Sequence, residues 1–232
     1  MKIAVMQPYL FPYIGYFQLM NAVDKFVIYD DVSFINKGWI NRNKILVNGE
    51  ANLFTIPLKK SSQNKLIKDI EISDTGDWRM KFLKTIEVSY SKASYFRDVY
   101  PLITDIIQNT DKNISKFIFN SFKIINIYLK IETKIVESSS VYLNSELKQQ
   151  ERIIDICKRE NAADYVNPIN GTRLYSKELF LSNGIKLNFI KQKEILYKQF
   201  ANSFINSLSI IDVLMFNPKS KVKECLKDYE LI

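Results

Sequence analysis

Residues 1–44, MKIAVMQPYLFPYIGYFQLMNAVDKFVIYDDVSFINKGWINRNK, are the stretch whose reading decides the fold. Lys2 to Met6 is a short apolar run that ends in a Pro-rich aromatic turn, and Lys25 to Tyr29 is a second run of the same kind. One amphipathic stretch separates them, so the segment predicts strand, helix, strand. A βαβ unit implies a parallel sheet covered by helices. The expected fold class is therefore α/β: a Rossmann-like three-layer α/β/α domain with a mainly parallel sheet of about five strands. In such sheets ligands bind beyond the carboxyl ends of the strands. Gln7, Pro8 and Tyr9 after the first strand should thus converge with Asp30 and Asp31 after the second, and Gly15 and Arg42 should meet them at one rim.

Tyr13-Ile14-Gly15-Tyr16 opens the helix between the two strands. A glycine in a first helical turn lets a ligand or another backbone approach, and the free N–H groups there favour phosphate. Tyr13, Gly15 and Tyr16 hold the H-x-G-H spacing of nucleotidylyltransferase-type enzymes, with tyrosine in place of both histidines. The same residues also fit plain packing of the helix on the sheet. Asp30 and Asp31 are candidates to bind Mg²⁺, a ribose or an ammonium group, with one of the pair facing the ligand because adjacent residues point apart. A solvated turn is the competing account.

From Phe34 to Lys44 the chain mixes charge, amide and indole with little helical period. Arg42 suits bidentate phosphate binding, Lys37 and Lys44 supply charge, and Trp39 offers a stacking face, with Asn41 and Asn43 beside them. An exposed strand edge blunted by basic residues would look similar. Asn48-Gly49 reads as the turn of a hairpin between Ile45–Val47 and Ala51–Leu58, bringing Thr55 back toward this lining, and Leu66 to Ile72 alternates as another strand. Residues 41–72 are therefore expected to form a small antiparallel insertion within a single domain spanning residues 1–232.

Helical spacing runs from Asp77 to Lys92, Tyr95 to Gln108 and Asn113 to Leu129. Glu87 on the first of these is a candidate buried base, against the commoner reading of a solvated carboxylate. Lys134 to Glu137 reads as an inner strand followed by Ser138, whose hydroxyl is a candidate for phosphate or sugar oxygens. A helix capped by Asn144 or Ser145 should run to Asn161, with Cys157 in the core. Asp164–Val166 reads as a strand leading through Asn167 and Gly171 into a helix from about Leu174 that carries Tyr175. Lys186 to Ile190 should be the last strand, followed by Gln199 and by a helix around Asp212.

The composition narrows the chemistry. The 232 residues, 47% hydrophobic, are enough for a real core. There is no histidine, which removes Ser-His-Asp and Cys-His pairs and leaves proton transfer to carboxylates, Tyr, Lys, backbone or substrate. Two cysteines without metal or redox spacing argue against a zinc site and a disulfide scaffold. The charge of +8 favours anionic ligands, but the lysines are dispersed and no basic, aromatic-interleaved stripe points to nucleic acid. No run approaches the roughly 20 apolar residues of a membrane span, and Met1-Lys2 leads into a strand rather than a signal peptide, so the expected location is the cytoplasm.

Taken together, MQPYLFPYIGYFQLMNAVDKFVIYDDVSF, WINRNKI, TIEVSY, ASYF, GTRLYSKELFLSNGIKLNFI and LSIIDVLMFN resemble the WbqC-like protein family over nearly the whole chain. The family is encoded with surface-polysaccharide (O-antigen, lipopolysaccharide) genes, so the resemblance implies a step on a nucleotide-linked sugar. Gln7, Pro8, Tyr9, Gly15, Asp30, Asp31, Trp39, Arg42, Asn43, Tyr175, Gln199 and Asp212 fall on its motif positions. Many members carry His in the segment that is Tyr197 to Phe200 here, so an imidazole role does not transfer. The leading expectation is an N-acyl- or aminoacyltransferase, or an ATP-dependent amide ligase, acting on the amine of a dTDP- or UDP-linked amino sugar. In this reading Lys37, Arg42 and Lys44 hold the diphosphate, Tyr9 and Trp39 pack on base or sugar, and Asp30 or Asp31 takes the amine's proton or a metal. Its partners would be the nucleotide sugar and an acyl or aminoacyl donor; the sequence leaves the cofactor open, with ATP and Mg²⁺ compatible, and it allows a homodimer. A glycosyltransferase and a non-catalytic assembly protein are the alternatives.

Overall fold

The computed structural model describes residues 1–200 and 203–232. The chain begins with β1 (Lys2–Met6), α1 (Ile14–Asn21) and β2 (Lys25–Ile28), followed by a hairpin of β3 (Arg42–Val47) and β4 (Glu50–Thr55). A two-strand ladder of β5 (Leu58–Lys59) and β6 (Glu71–Ile72) precedes three helices, α2 (Trp78–Tyr90), α3 (Phe96–Gln108) and α4 (Ile114–Leu129). Then come β7 (Lys134–Val136), α5 (Gln149–Arg159), β8 (Asp164–Pro168), α6 (Lys177–Ser182) and β9 (Lys186–Gln192), and finally α7 (Ile210–Phe216), α8 (Lys219–Cys225) and β10 (Tyr229–Leu231).

The main sheet has the order β10-β9-β8-β1-β2-β7, with five parallel strands and β10 antiparallel at one edge. The protein is thus α/β, with small antiparallel sheets beside the main one. Strand alternation sorts the core into two layers. Ile3, Val5 and Val27 join Tyr165, Leu187 and Phe189 under α5 and α6. Ala4, Phe26 and Ile28 join α1, α3, α4 and α7 on the opposite face. Period-two side chains buried on both sides are what a parallel strand covered by helices requires. In α4, Phe117, Phe122, Ile125 and Leu129 are buried on its inward face. Each such side chain contributes roughly 1.5–3 kcal/mol when fully removed from water.

Several expected boundaries shift. Lys134–Val136 is an edge strand rather than an inner one, pairing only with β2, and Lys186–Gln192 is not the last strand because Tyr229–Leu231 adds β10. Periodicity reports burial rather than position in a sheet, and a three-residue terminal strand carries too little pattern to be seen. Leu66 to Ile72 contains a 3₁₀ turn at Ile67–Asp69 and only two ladder residues. Ile67, Ile70 and Ile72 are all buried, but the first two stand three residues apart, the spacing of a turn that inserts isoleucines into the core rather than of a strand. The helix expected from Asn144 or Ser145 begins at Gln149, because residues 139–142 form a separate 3₁₀ turn. The helix expected near Leu174 begins at Lys177, capped by Ser176, whose hydroxyl accepts from Leu179 N. No helix among the described residues is long and apolar enough to cross a membrane.

Strand order reverses at β1: the chain moves outward through β2 to β7, then returns to place β8 and β9 on the other side. Such a reversal leaves a crevice between the two connections at the carboxyl ends of the strands.

Candidate functional site

A cleft of about 540 Å³ lies at that point. Met6 and Gln7 follow from β1, Tyr29 from β2, and Asn167 and Pro168 from β8. Tyr9, Tyr13, Tyr16, Trp39, Asn170, Gly171 and Tyr175 complete the walls. Every lining side chain is uncharged, and the polar groups are amides, phenols and the Trp39 indole N–H. Aromatic faces with amides between them suit a ring bearing hydroxyl groups, because the rings pack its C–H surface while the amides exchange hydrogen bonds with its edge.

The loop after β1 is held by residues distant in sequence. Asn43 Nδ2 donates to the carbonyls of Leu10 at 3.0 Å and Phe11 at 2.8 Å, and Leu10 N donates to Trp39 O at 3.2 Å. Tyr16 Oη donates to the Gln7 carbonyl at 2.8 Å. Asn43, expected as a ligand contact, is buried and shapes the loop instead. Gly15 sits under the side chains of Tyr13 and Gln192; a methyl there would overlap the Tyr13 ring and stand 2.6 Å from Gln192 Oε1. Its missing side chain therefore accommodates these neighbours rather than a phosphate.

Gly171 has a similar role against Asn167. A methyl at Gly171 would overlap the Asn167 amide, whose Nδ2 donates to Tyr165 Oη at 2.8 Å. Gly171→Ala is expected to cost about 1–3 kcal/mol through this overpacking. Thermal denaturation measures it, and an unchanged midpoint would show that the Asn167 side chain has room to retreat.

Asp30 and Asp31 lie beneath the cleft, not on its surface. Asp30 accepts from Ser138 Oγ at 2.6 Å and from Ser115 Oγ at 2.7 Å, so Ser138 is committed to a carboxylate. Burial pushes the Asp30 carboxyl up from its ordinary value, and the two serine bonds offset this only in part. Asp31 accepts from Arg152 Nη2 at 2.5 Å and from Ser139 Oγ. The expectation that one of the pair faces the ligand is corrected: neither lines the cleft, and the serines after β7 and on α4, with Arg152 of α5, bond all four carboxylate oxygens. Neither carboxylate presents a free edge to a metal or an amine.

Arg152 connects this buried layer to the cleft. Its Nε donates to Asn144 Oδ1 at 3.0 Å, its guanidinium lies 4.9 Å from the Tyr29 ring centroid, and Nη1 makes a long contact of 3.4 Å to Tyr29 Oη. Burial raises the Tyr29 phenol, while Arg152 pulls it back down. Tyr29 and Arg152 were not among the sequence candidates. A phenol closing the strand that precedes the Asp pair was the available signal for Tyr29; nothing local marks Arg152, which sits 121 residues from Asp31.

At the rim the hairpin places Arg42 opposite Thr55 on one ladder face. Arg42 lies 5.8 Å from the Trp39 ring centroid, and its Nε is spent on the Gly38 carbonyl at 2.9 Å, leaving the two Nη groups for an anion. Trp39 is 42% exposed. Asn41 Nδ2 donates to Ile56 O at 2.7 Å, so that amide closes the hairpin base. Lys37 and Lys44 are exposed, Lys37 in a left-handed turn at φ 59°.

Glu87 and Gln199 are elsewhere. Glu87 pairs with Lys84 at 2.9 Å on the outer face of α2 with its side chain about half exposed, which makes it a solvated carboxylate and not a buried base. Gln199 Nε2 donates to Asp212 Oδ1 at 2.8 Å and to Ile205 O at 3.0 Å. Asp212 also accepts from Tyr197 Oη at 2.6 Å and Tyr90 Oη at 3.0 Å. Cys157 is fully buried and its thiol is pushed up to about 12 by burial, as its core placement implies.

No solved structure matches the chain. A protein of Mycobacterium tuberculosis, "Uncharacterized protein Rv1507c", is 27% identical over 229 residues, covering 97% of each chain. The model of the WbqC-like protein family matches residues 7–224, which include the cleft lining from Gln7 onward, the buried acid layer and the Asp212 cluster. By that match the chain belongs to the WbqC-like protein family.

Proposed function

We propose that this protein is an enzyme of surface-polysaccharide assembly that acylates or aminoacylates the amine of a nucleotide-linked amino sugar. The observation that carries the reading is the uncharged cleft of tyrosines, tryptophan and amides at the strand-order reversal. The sugar packs among Tyr9, Trp39 and Tyr175, with Gln7, Asn167 and Asn170 in reach of its hydroxyls. Arg42 at the rim takes a phosphate, and exposed Lys37 and Lys44 add positive field.

The chemistry of amine acylation suits such a lining. A neutral amine is already a nucleophile, and the proton it sheds after attack on an activated acyl group passes to the leaving group or to water. The reaction needs no strong base, and it gains from a donor aimed at the oxygen that becomes negative. Tyr29 fits that role. Arg152 approaches the acceptor side of its hydroxyl, and among the described residues no protein acceptor takes the phenolic proton, which leaves it for the cleft.

The test is to incubate the protein with dTDP- and UDP-linked amino sugars and acyl or aminoacyl donors, including amino acids with ATP and Mg²⁺, and to follow the mass of the sugar nucleotide. A gain of one acyl unit is expected on at least one sugar; no gain on any of them would remove the reading. In the active pair, Tyr29→Phe should lower kcat by about 10²-fold, the usual effect of one lost oxyanion donor, with KM little changed. Equal kcat in the variant would take Tyr29 out of the mechanism.

A further inference from the structure

Tyr13 borders two cavities. Besides the cleft, it forms part of a second one of about 310 Å³. Ile14, Leu208 and Val213 give this cavity an apolar wall, while Gln192 and Asn206 place amides on it. Lys193 and Glu194 at its edge carry opposite charges, and Lys193 also pairs with Asp228 at 3.5 Å.

The division between the cavities is built into the chain. Gly15 lets the Tyr13 ring and the Gln192 amide rest together on the first turn of α1. The cavity's other wall comes from residues 193–209, which carry neither helix nor strand among those described. A connection of that length in a compact domain is usually either functional or a loose linker, and the described residues of this one are pinned. Tyr197 and Gln199 bond to Asp212, the Tyr197 and Phe204 rings stand 5.0 Å apart, and Ser209 Oγ donates to Phe11 O at 2.8 Å. Ile210 N donates to Pro12 O at 2.9 Å, so the loop carrying Tyr13 anchors both cavities.

We infer that the second cavity is the acyl-donor site, taking the acyl end and amide-bearing arm of a pantetheine thioester, with Tyr13 at the junction where donor carbonyl and acceptor amine meet. The inference rests on the amine-acylation reading for the reaction and on its own geometry for the site. A phosphoanhydride donor would need concentrated positive charge, whereas Lys193 and Glu194 offset one another. The apolar wall accepts an acyl chain, and the amides of Gln192 and Asn206 can each donate to and accept from an amide arm. The volume is at the small end of ligand cavities, enough for that end of the molecule alone. In the step, the amine nitrogen bonds to the thioester carbonyl carbon, the C–S bond breaks, and the proton leaving nitrogen goes to the departing thiolate. The products are an amide and a free thiol, with no oxidant or reductant required.

The probes are S-acetylpantetheine and acetyl-coenzyme A for the second cavity, and dTDP and UDP for the cleft, titrated into the full chain. Asn206 is exposed, so Asn206→Trp fills the cavity without entering the core. It should weaken the thioester probe by roughly tenfold or more while leaving nucleotide binding within about twofold, since the two lining sets are separate away from Tyr13. Gln192→Ala, which removes one amide without adding bulk, should weaken the same probe by several-fold and serves if the tryptophan disturbs folding. Equal affinity for the two thioesters points to an arm borne by a carrier protein, and tighter acetyl-coenzyme A to the free cofactor; both support the site. Failure of the wild-type chain to bind either thioester, or binding unchanged in both variants, would overturn the inference. Neither result touches the cleft, whose reading fails separately if no nucleotide or amino-sugar nucleotide binds.

Discussion

Arg152→Ala is expected to lower the free energy of unfolding by about 3–5 kcal/mol, the range for removing one partner of a buried ion pair. The Asp31 and Arg152 side chains are 6% and 3% exposed, and the contact between them is 2.5 Å. Removing the guanidinium leaves Asp31 in a low-dielectric layer with only the Ser139 hydroxyl, and frees Asn144 Oδ1 from its partner Arg152 Nε as well. The loss exceeds what the attraction alone contributes, because a charge that water cannot reach is costlier than one that was never buried. Asp31→Asn with Arg152→Met should recover much of the loss, since uncharged side chains of similar volume leave no stranded charge. Urea denaturation of the single and double variants measures both. A loss below about 1 kcal/mol for Arg152→Ala would mean that water reaches Asp31 once the guanidinium is gone. Tyr29 should respond too, as its ring loses the guanidinium at 4.9 Å.

The second large effect is expected at Asp212, which is fully buried and held by three neutral donors, Tyr90, Tyr197 and Gln199. Asp212→Ala strands all three, at about 1–3 kcal/mol each when no water replaces the bond. The segment from Lys193 to Ser209 should loosen first, because Tyr197 and Gln199 fasten it there; hydrogen exchange on that segment reads the change locally. Stability should also depend on pH with a definite sign. Burial raises the Asp212 carboxyl above its ordinary value of 3.8, and its hydrogen bonds only partly restore it. In the window between 3.8 and the raised value the folded state binds the proton that the unfolded state has released. Stability from this group is therefore greatest below the window and falls as pH rises through it, levelling off above. Asp30, raised for the same reason, acts with the same sign. Asp212→Asn should flatten the slope even where it lowers stability, and a variant with the wild-type slope would show that Asp212 does not titrate in that range.

Much of the fold was legible in the chain because its signals are local. The apolar runs at Lys2–Met6 and Lys25–Ile28, the Asn-Gly turn between β3 and β4, and the isoleucine and phenylalanine stripe of α4 each show their periodicity within a few residues. The cleft's aromatic loop was legible for a related reason: an α/β sheet binds at its strand ends, and Gln7 and Tyr9 stand just past one.

The destination of side chains was not. Asp30 and Asp31 look alike on paper as a polar pair ending a strand, yet they meet Ser115, Ser138, Ser139 and Arg152, 85 to 121 residues away, and are sealed. Gln199 and Asp212 matched motif positions and prove to fasten a loop. Residue types and spacing by themselves determined a parallel α/β sheet, a chain without imidazole and the strand ends beyond which the cleft opens. Which polar groups line the cleft at those strand ends, and that Tyr13 borders a second cavity, only the tertiary structure decided. The physical reason is that burial and hydrogen-bond pairing depend on contacts across long sequence separations, which no local pattern records.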